Sequence, residues 1–202
     1  MPAYSSMRWN LLFLVVVPIL VQACTSVRET QPDETATQQL LMSTAVDKAV
    51  ERLDLNVPLD TPVFVDTQYL QTYDKGYVVS AIRAHLLKNG SRLIRQPGEA
   101  EIVVEVRSGA LSINRRKDFV GLPSIPLPVP LTESFSTPEI PLFKHEEQRG
   151  IAKIALTAYD AETGELWADT GPVFGVAWID GWSVLGVGWR EDQTQPESLD
   201  NP

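Results

Sequence analysis

Residues 101–113 read EIVVEVRSGALSI, the longest strand predicted in this chain of 202 residues. Before Gly109 the apolar residues Ile102, Val104 and Val106 at even positions alternate with Glu101, Val103, Glu105 and Arg107. After Gly109 the apolar residues stand at odd positions, namely Leu111 and Ile113. In a strand of period two, one extra residue reverses the facing of all that follows. The shift therefore predicts a β-bulge at Ser108-Gly109.

Two amphipathic helices are predicted ahead of this strand. The first runs from about Asp33, as the N-cap, to Leu53, and its apolar face carries Met42, Val46, Ala49 and Val50. The second runs from Asp74 to Gly90, with an apolar stripe at Val78, Ile82 and Leu86. Short β-rich runs at residues 62–67 and 92–95 flank the second helix, which favours a parallel strand-helix-strand crossover.

Antiparallel hairpins are predicted after the long strand. Residues 151–159 read as a strand, residues 160–164 as a turn and residues 165–169 as its return strand, and Asp180-Gly181 is a further hairpin signal. We expect an α+β fold, a two-layer sandwich with a mixed, mostly antiparallel sheet of about five strands and two helices on one face.

Residues 114–150 are predicted to form one long proline-rich insertion in a single domain spanning residues 33–190. Residues 120–131 read VGLPSIPLPVPL, and prolines at this density favour an extended backbone that cannot join a sheet interior. Ile125, Leu127 and Val129 could form a docking strip for a partner. The alternative is a loop that buries these side chains against its own sheet.

Three tryptophans, Trp178, Trp182 and Trp189, lie within twelve residues near the end of the domain, interleaved with glycines. Indole suits half-wet surfaces, so they are candidates for a membrane-interface or partner-binding hairpin. Close packing of the last strands in the core is the other interpretation. Residues 191–202 are polar and predicted to be a disordered tail.

Signals for catalysis are weak. Asp66 ends a predicted strand and Asp74 opens a helix, so the two carboxylates could line a crevice near His85. Turn and capping chemistry account for both aspartates more simply. Neither His85 nor His145 has a second ligand at metal spacing, so no metal and no cofactor is predicted. The basic run at residues 115–117 could contact lipid headgroups or an anionic wall polymer, or be a solvated turn.

Residues 1–23 are predicted to be a signal peptide. Arg8 precedes the eleven-residue apolar run LLFLVVVPILV at residues 11–21, which is shorter than the ~20 residues of a spanning helix. The only cysteine, Cys24, follows directly and polar sequence begins after it. The formal net charge of -9 argues against a general nucleic-acid binder.

Val21-Gln22-Ala23-Cys24 resembles the lipobox of bacterial lipoproteins. The resemblance implies that Cys24 is lipidated and becomes the mature N-terminus, with residues 24–32 as a tether. It implies an outer-membrane lipoprotein facing the periplasm, or a cell-membrane one where there is no outer membrane. The membrane would then be a partner through this lipid.

The stretch at residues 159–167, YDAETGELW, resembles periplasmic domains of the curli-secretion-lipoprotein and penicillin-binding-protein-activator type. The whole chain is similar to an uncharacterised family of envelope lipoproteins, through residues 63–66, 106–111 and 150–154. We therefore expect a non-enzymatic binding or assembly factor for an envelope protein or cell-wall polymer. The alternatives are a hydrolase or small-ligand binder at Asp66, Asp74 and His85, and a secretion-channel component. The oligomeric state stays open.

Overall fold

The computed structural model describes residues 35–127 and 135–194. The chain divides into two compact units, Met1–Asp33 and Glu34–Pro202. The predicted signal peptide, Cys24 and the predicted N-cap Asp33 lie outside the described residues, as do Val129 and residues 195–202.

Two helices begin and end at recognisable caps. Helix α1, Ala36–Val50, starts after Thr35 and not at the predicted N-cap Asp33, because the Thr35 side chain accepts the backbone N–H of Gln38 in a reciprocal capping box, and it ends three residues before the predicted Leu53. Helix α2, Lys75–Lys88, starts after Asp74, whose carboxylate accepts the backbone N–H of Tyr77 at 3.2 Å. Gly90 follows it with φ 89°, a conformation that glycine adopts without strain. The predicted second helix is confirmed.

The described residues contain nine strands, of which the first lies between the two helices, and seven of the nine form one sheet. They are β1 Pro62–Asp66, β2 Arg92–Leu93, β3 Ile102–Leu122, β4 Pro126–Leu127, β5 Phe135–Ser136, β6 Ile140–Asp160, β7 Leu166–Asp169, β8 Val173–Val184 and β9 Val187–Asp192. The order in the large sheet is β2-β1-β3-β6-β8-β9, with β7 also paired to β6. Strand β1 runs parallel to β2 and β3, and the other pairings are antiparallel.

The predicted fold class is confirmed in its coarse form, an α+β protein with two helices and a mixed, mostly antiparallel sheet. Two details were wrong. The sheet has about seven strands rather than five, and it curls into half of a barrel rather than lying flat in a two-layer sandwich. Twist between neighbouring strands accumulates across a sheet, so a sheet with more strands curls more.

The predicted insertion at residues 114–150 is in large part a long β-hairpin. Strands β3 and β6 have 21 residues each and pair from Ile102 opposite Asp160 to Leu122 opposite Ile140. Most of the prolines lie beyond Leu122, so they leave this ladder intact. The proline-rich stretch itself contributes the two-residue strand β4, paired with β5. At the other end, β9 extends to Asp192, so the predicted tail cannot begin at residue 191.

The predicted bulge in the long strand is confirmed. Ser108 lies opposite Ile154 and Ala110 opposite Lys153, which leaves Gly109 as the extra residue. Gly109 does not have a left-handed backbone, so a β-branched residue there would meet no strain from positive φ. A side chain at this position would meet the flexible Lys153 side chain, whose Cδ would lie 2.9 Å from the added Cβ.

The hairpin signal at Asp180-Gly181 was misplaced. Both residues lie inside β8, and the chain turns at Leu185-Gly186 instead. These two residues have φ of 49° and 84°, the pair of positive values that a two-residue type I′ hairpin requires. Asp180 keeps its extended backbone because it pairs with Glu147 of β6 on one side and Glu191 of β9 on the other.

The core lies between the helices and one face of the sheet. Helix α1 crosses the sheet in direct contact with two glycines: the Leu41 carbonyl lies over Gly150, and the backbone of Ala45 and Ala49 lies over Gly175. A helix of 15 residues is ~22 Å long, whereas a strand of 21 residues is ~70 Å long. The sheet therefore extends far beyond the surface that the helices cover.

Tyr77 joins the two helices. Its hydroxyl donates a hydrogen bond to the Asp47 carboxylate, at 2.8 and 2.9 Å from the two oxygens. Burial raises the pKa of Tyr77 to about 12, and the Asp47 carboxylate reinforces the shift because it accepts the hydroxyl proton and repels a phenolate. The neutral form of Tyr77 therefore holds α1 against α2.

Candidate functional site: the uncovered part of the long hairpins

Six aliphatic side chains are exposed together where the long strands end. We call this group the apolar end, and their exposed fractions range from 54% to 74%: Leu122, Ile125, Ile140, Leu142, Leu185 and Val187. Leu122 pairs with Ile140, and the Leu185 N–H donates to the Leu142 carbonyl at 3.0 Å. Leu185 and Val187 flank the turn glycine. The strands that carry or flank Leu122, Ile140, Leu142, Leu185 and Val187 are neighbours in the sheet, and Ile125 follows Leu122 by three residues.

A second surface lies on the sheet face that the helices leave uncovered, and we call it the open face. In antiparallel pairs, opposite residues point to the same side. Ala152, Ile154 and Leu156 point into the core, so the odd-numbered residues of β6 and their partners point away from it. Its aromatic and aliphatic members towards the strand ends are Val120, Phe143, Ile151, Phe174, Val176, Trp178, Trp182, Val184, Trp189 and Val187, the last of which also belongs to the apolar end.

His145 holds Trp182 in position on the open face. The imidazole stacks on the indole, with ring centroids 3.8 Å apart and an interplanar angle of 15°. Its Nε2 lies 3.1 Å from Asp180 Oδ1, and its Nδ1 lies 3.4 Å from Asp118 Oδ2. Phe143 packs edge-on against the same indole at 6.0 Å. Because the ring is contacted on its face and its edge, Trp182 presents a preorganised surface.

A charged cluster occupies the opposite face of the same strands, beyond the helices. Lys117 donates to Glu139 at 3.0 Å, and Lys144 lies 3.0 Å from Glu146 and 3.5 Å from Glu139. The Lys117 hydrogen bond holds the pKa of Glu139 below its usual value, and the Glu146 carboxylate raises the pKa of Lys144. All four side chains are partly exposed, so the pairs mainly organise the surface and stabilise the fold little.

The candidate binding residues fall into two groups. Ile125 is exposed and belongs to the apolar end, whereas the side chain of Leu127 and all of Val129 lie outside the described residues. Trp178 and Trp182 are half-buried and Trp189 is exposed, so none of the three belongs to the buried core. The basic run at residues 115–117 is in the middle of β3, not at a turn.

The structure does not bring Asp66, Asp74 and His85 together. Asp66 accepts the backbone N–H of Gln68 in a turn, and Asp74 caps α2. His85 lies eleven residues further along the same helix, ~16 Å away along its axis, where its Nε2 lies 2.8 Å from the Leu53 carbonyl oxygen. Asp74 lines a shallow cavity of about 770 Å³, and His85 lines a different one of about 460 Å³.

Sequence reasoning missed most of the apolar end. Leu122, Ile140 and Leu142 were assigned to an insertion, and Leu185 and Val187 were not singled out. Aliphatic residues on both sides of a glycine turn, as in Val184-Leu185-Gly186-Val187, are unusual for an exposed loop and could have been a signal. Across residues 35–127 and 135–194 there is no cluster of three or more His, Cys, Asp or Glu side chains that could hold a metal ion. Within the same ranges no helix is long and apolar enough to cross a membrane.

These observations define an α+β protein of two helices on a curled sheet, whose long hairpins carry an uncovered apolar surface. The chain belongs to a family of unknown function, DUF6655, whose family model matches residues 22–193. A search of the curated proteins gave no match.

Proposed function

We propose that this chain is a lipid-anchored protein of the bacterial cell envelope that works by binding an envelope protein rather than by catalysis. One observation carries the binding role: the open face exposes aromatic and aliphatic side chains on regular, paired strands instead of on loops. Aromatic side chains on a rigid support are typical of protein-binding surfaces, because ordering them on binding costs little entropy.

Catalysis is the weaker candidate, for geometric reasons. A general acid or base must be within hydrogen-bond reach of a shared reacting group. Asp74 and His85 lie near opposite ends of α2, and each already has a local structural partner. His145 has a carboxylate at each ring nitrogen and an indole stacked on its face. These contacts indicate that His145 positions Trp182.

Trp189→Ala should weaken partner binding about tenfold without unfolding the protein. Its indole is 52% exposed on the open face, so its loss removes contact area from the surface but little packing from the core. Trp167→Ala is the matched control, because Trp167 is 46% exposed on β7, which pairs with β6 only at Thr157–Tyr159, ~40 Å along that strand from His145, the residue opposite Trp182. A photo-reactive amino acid at position 184, on the open face, should crosslink to a single envelope protein in living cells. The yield of this crosslink should fall about tenfold in Trp189→Ala and stay unchanged in Trp167→Ala.

Equal crosslinking in the two variants would contradict the proposed binding face. Crosslinks that disappear when the cell wall is digested would instead identify a wall polymer as the partner.

The lipid anchor has its own test. The mature chain should begin at Cys24 and carry a thioether-linked diacylglycerol and an acylated amine, because Val21-Gln22-Ala23-Cys24 resembles a lipobox. Mass spectrometry of the intact protein purified from membranes measures this directly. Cys24→Ser should yield an unlipidated chain that is no longer processed at this site. A mature chain that begins elsewhere would contradict both the anchor and the envelope location.

A further inference from the structure

The apolar end has a composition that suits lipid. Its six members are aliphatic, and each is more than half exposed. The hydrogen bond from Leu185 to Leu142 and the Leu122–Ile140 pair hold them on adjoining strand ends. The nearby lysines, Lys117 and Lys144, are already paired with glutamates. The six members themselves carry no charge and the adjoining lysines are neutralised by glutamates, so the apolar end is comparable to the apolar faces that enter the boundary between headgroups and acyl chains.

The direction of α1 places the start of the folded domain on the same side. Leu41 lies over Gly150, whereas Ala45 and Ala49, which come later in the helix, lie over Gly175. Gly175 pairs with Ala152, two residues further from the apolar end than Gly150. Helix α1 therefore begins on the side of the apolar end and runs away from it.

Chain length then allows the anchor and the apolar end to reach one bilayer. Leu142 lies eight residues beyond Gly150 along β6, or ~27 Å, and α1 begins five residues before Leu41, or ~8 Å towards the apolar end. Measured along the strands, the start of α1 is therefore about 20 Å from Leu142. Cys24 precedes Thr35 by eleven residues, which span up to ~36–40 Å when extended.

We propose that the apolar end inserts into the interfacial region of the bilayer that holds the lipid on Cys24, so that the open face stands upright beside the membrane. This inference rests on the proposed lipid anchor. It adds that the long hairpins contact the bilayer as a second attachment and fix the orientation in which a partner meets Trp182 and Trp189.

The depth of single labelled positions tests this orientation. The full-length protein purified from membranes, carrying Leu185→Cys with an environment-sensitive fluorophore, is reconstituted in phosphatidylethanolamine–phosphatidylglycerol vesicles. Lipids with nitroxide groups near the headgroup end of the acyl chain should quench this label at least about threefold more than the same label at Leu166→Cys on β7. Leu166 is a matched control because it is 68% exposed but distant from the apolar end.

Substitution of the neighbouring residues provides the second measurement. Leu122→Ser with Leu142→Ser should remove the excess quenching at position 185, whereas Leu59→Ser with Leu87→Ser should leave it unchanged. Leu59 and Leu87 are exposed leucines elsewhere, 79% and 55% accessible. Both double variants should melt at the temperature of the unsubstituted protein, because all four leucines are exposed, and this measurement checks that the variants fold.

The outcomes separate the inference from the proposed function. Equal quenching at positions 185 and 166 in protein that stays with the vesicles overturns membrane insertion but leaves the anchor intact. A label at position 185 that becomes protected from aqueous iodide only after an envelope protein is added overturns it in favour of a protein contact. Wild-type protein that takes up the thiol label at Cys24 and leaves the vesicles overturns the anchor and the insertion together.

Discussion

Gly175→Ala should lower the free energy of unfolding by ~3 kcal/mol or more, a large effect for one methyl group. The added Cβ would approach the Ala45 carbonyl oxygen and would lie 2.5 Å from the Ala49 nitrogen. Both are backbone atoms of α1, so no side-chain rotation can relieve the contact. The helix would have to move away from the sheet, and this would weaken the packing between its buried side chains and those of the sheet.

The measurement is chemical denaturation with a thermal melt, where we expect a decrease of ~6–12 °C for a domain of this size. Gly181→Ala is the matched control, because Gly181 is in the same strand and the nearest atom to its added Cβ, the Glu146 carbonyl oxygen, is 3.7 Å away. Equal stability of the two variants would show that α1 does not pack directly on Gly175.

Leu41→Ala should cost ~2–5 kcal/mol of stability. Leu41 is fully buried, and its backbone lies over Gly150, where helix and sheet are closest. Truncation leaves a cavity that the neighbours cannot fill, because the helix already touches the sheet backbone and cannot move inwards. The loss therefore includes both the transfer free energy of the missing atoms and the contacts around the cavity.

Leu40→Ala separates packing from helix propensity. Leu40 precedes Leu41 in the same helix and is 37% exposed, so the same substitution should cost less than ~1 kcal/mol there. Denaturant titration of both variants gives the comparison. A similar loss at both positions would mean that α1 contributes through its own stability and not through Leu41 packing on the sheet.

Features controlled by neighbours in the sequence were predictable. The second helix, with Asp74 as its N-cap and Gly90 beyond its end, has the predicted limits because capping depends on the residues at the helix terminus. The Gly109 bulge was also predictable, since a change of phase in a strand has to be absorbed by an extra residue.

Features controlled by the pairing of distant strands were not predictable from the sequence. Residues 114–122 and 140–150 were assigned to an insertion, but each half is stabilised by the other, at separations from 18 residues for Leu122 and Ile140 to 35 for Asn114 and Arg149, which local patterns do not report. Asp180-Gly181 has the better turn composition, yet the chain turns at Leu185-Gly186. At Asp180, hydrogen bonding with β6 and β9 outweighs the local turn preference.

The sequence by itself determined the α+β class, the strand around Gly109 and the apolar residues that could occupy a core. It did not decide which apolar residues are covered, because periodicity records which side chains share a face and not what packs against that face. The tertiary structure decided this through relative lengths. A helix of 15 residues reaches ~22 Å along strands of ~70 Å, so Ala152 beneath the helix is buried while Leu142 near the far end of the same strand remains exposed.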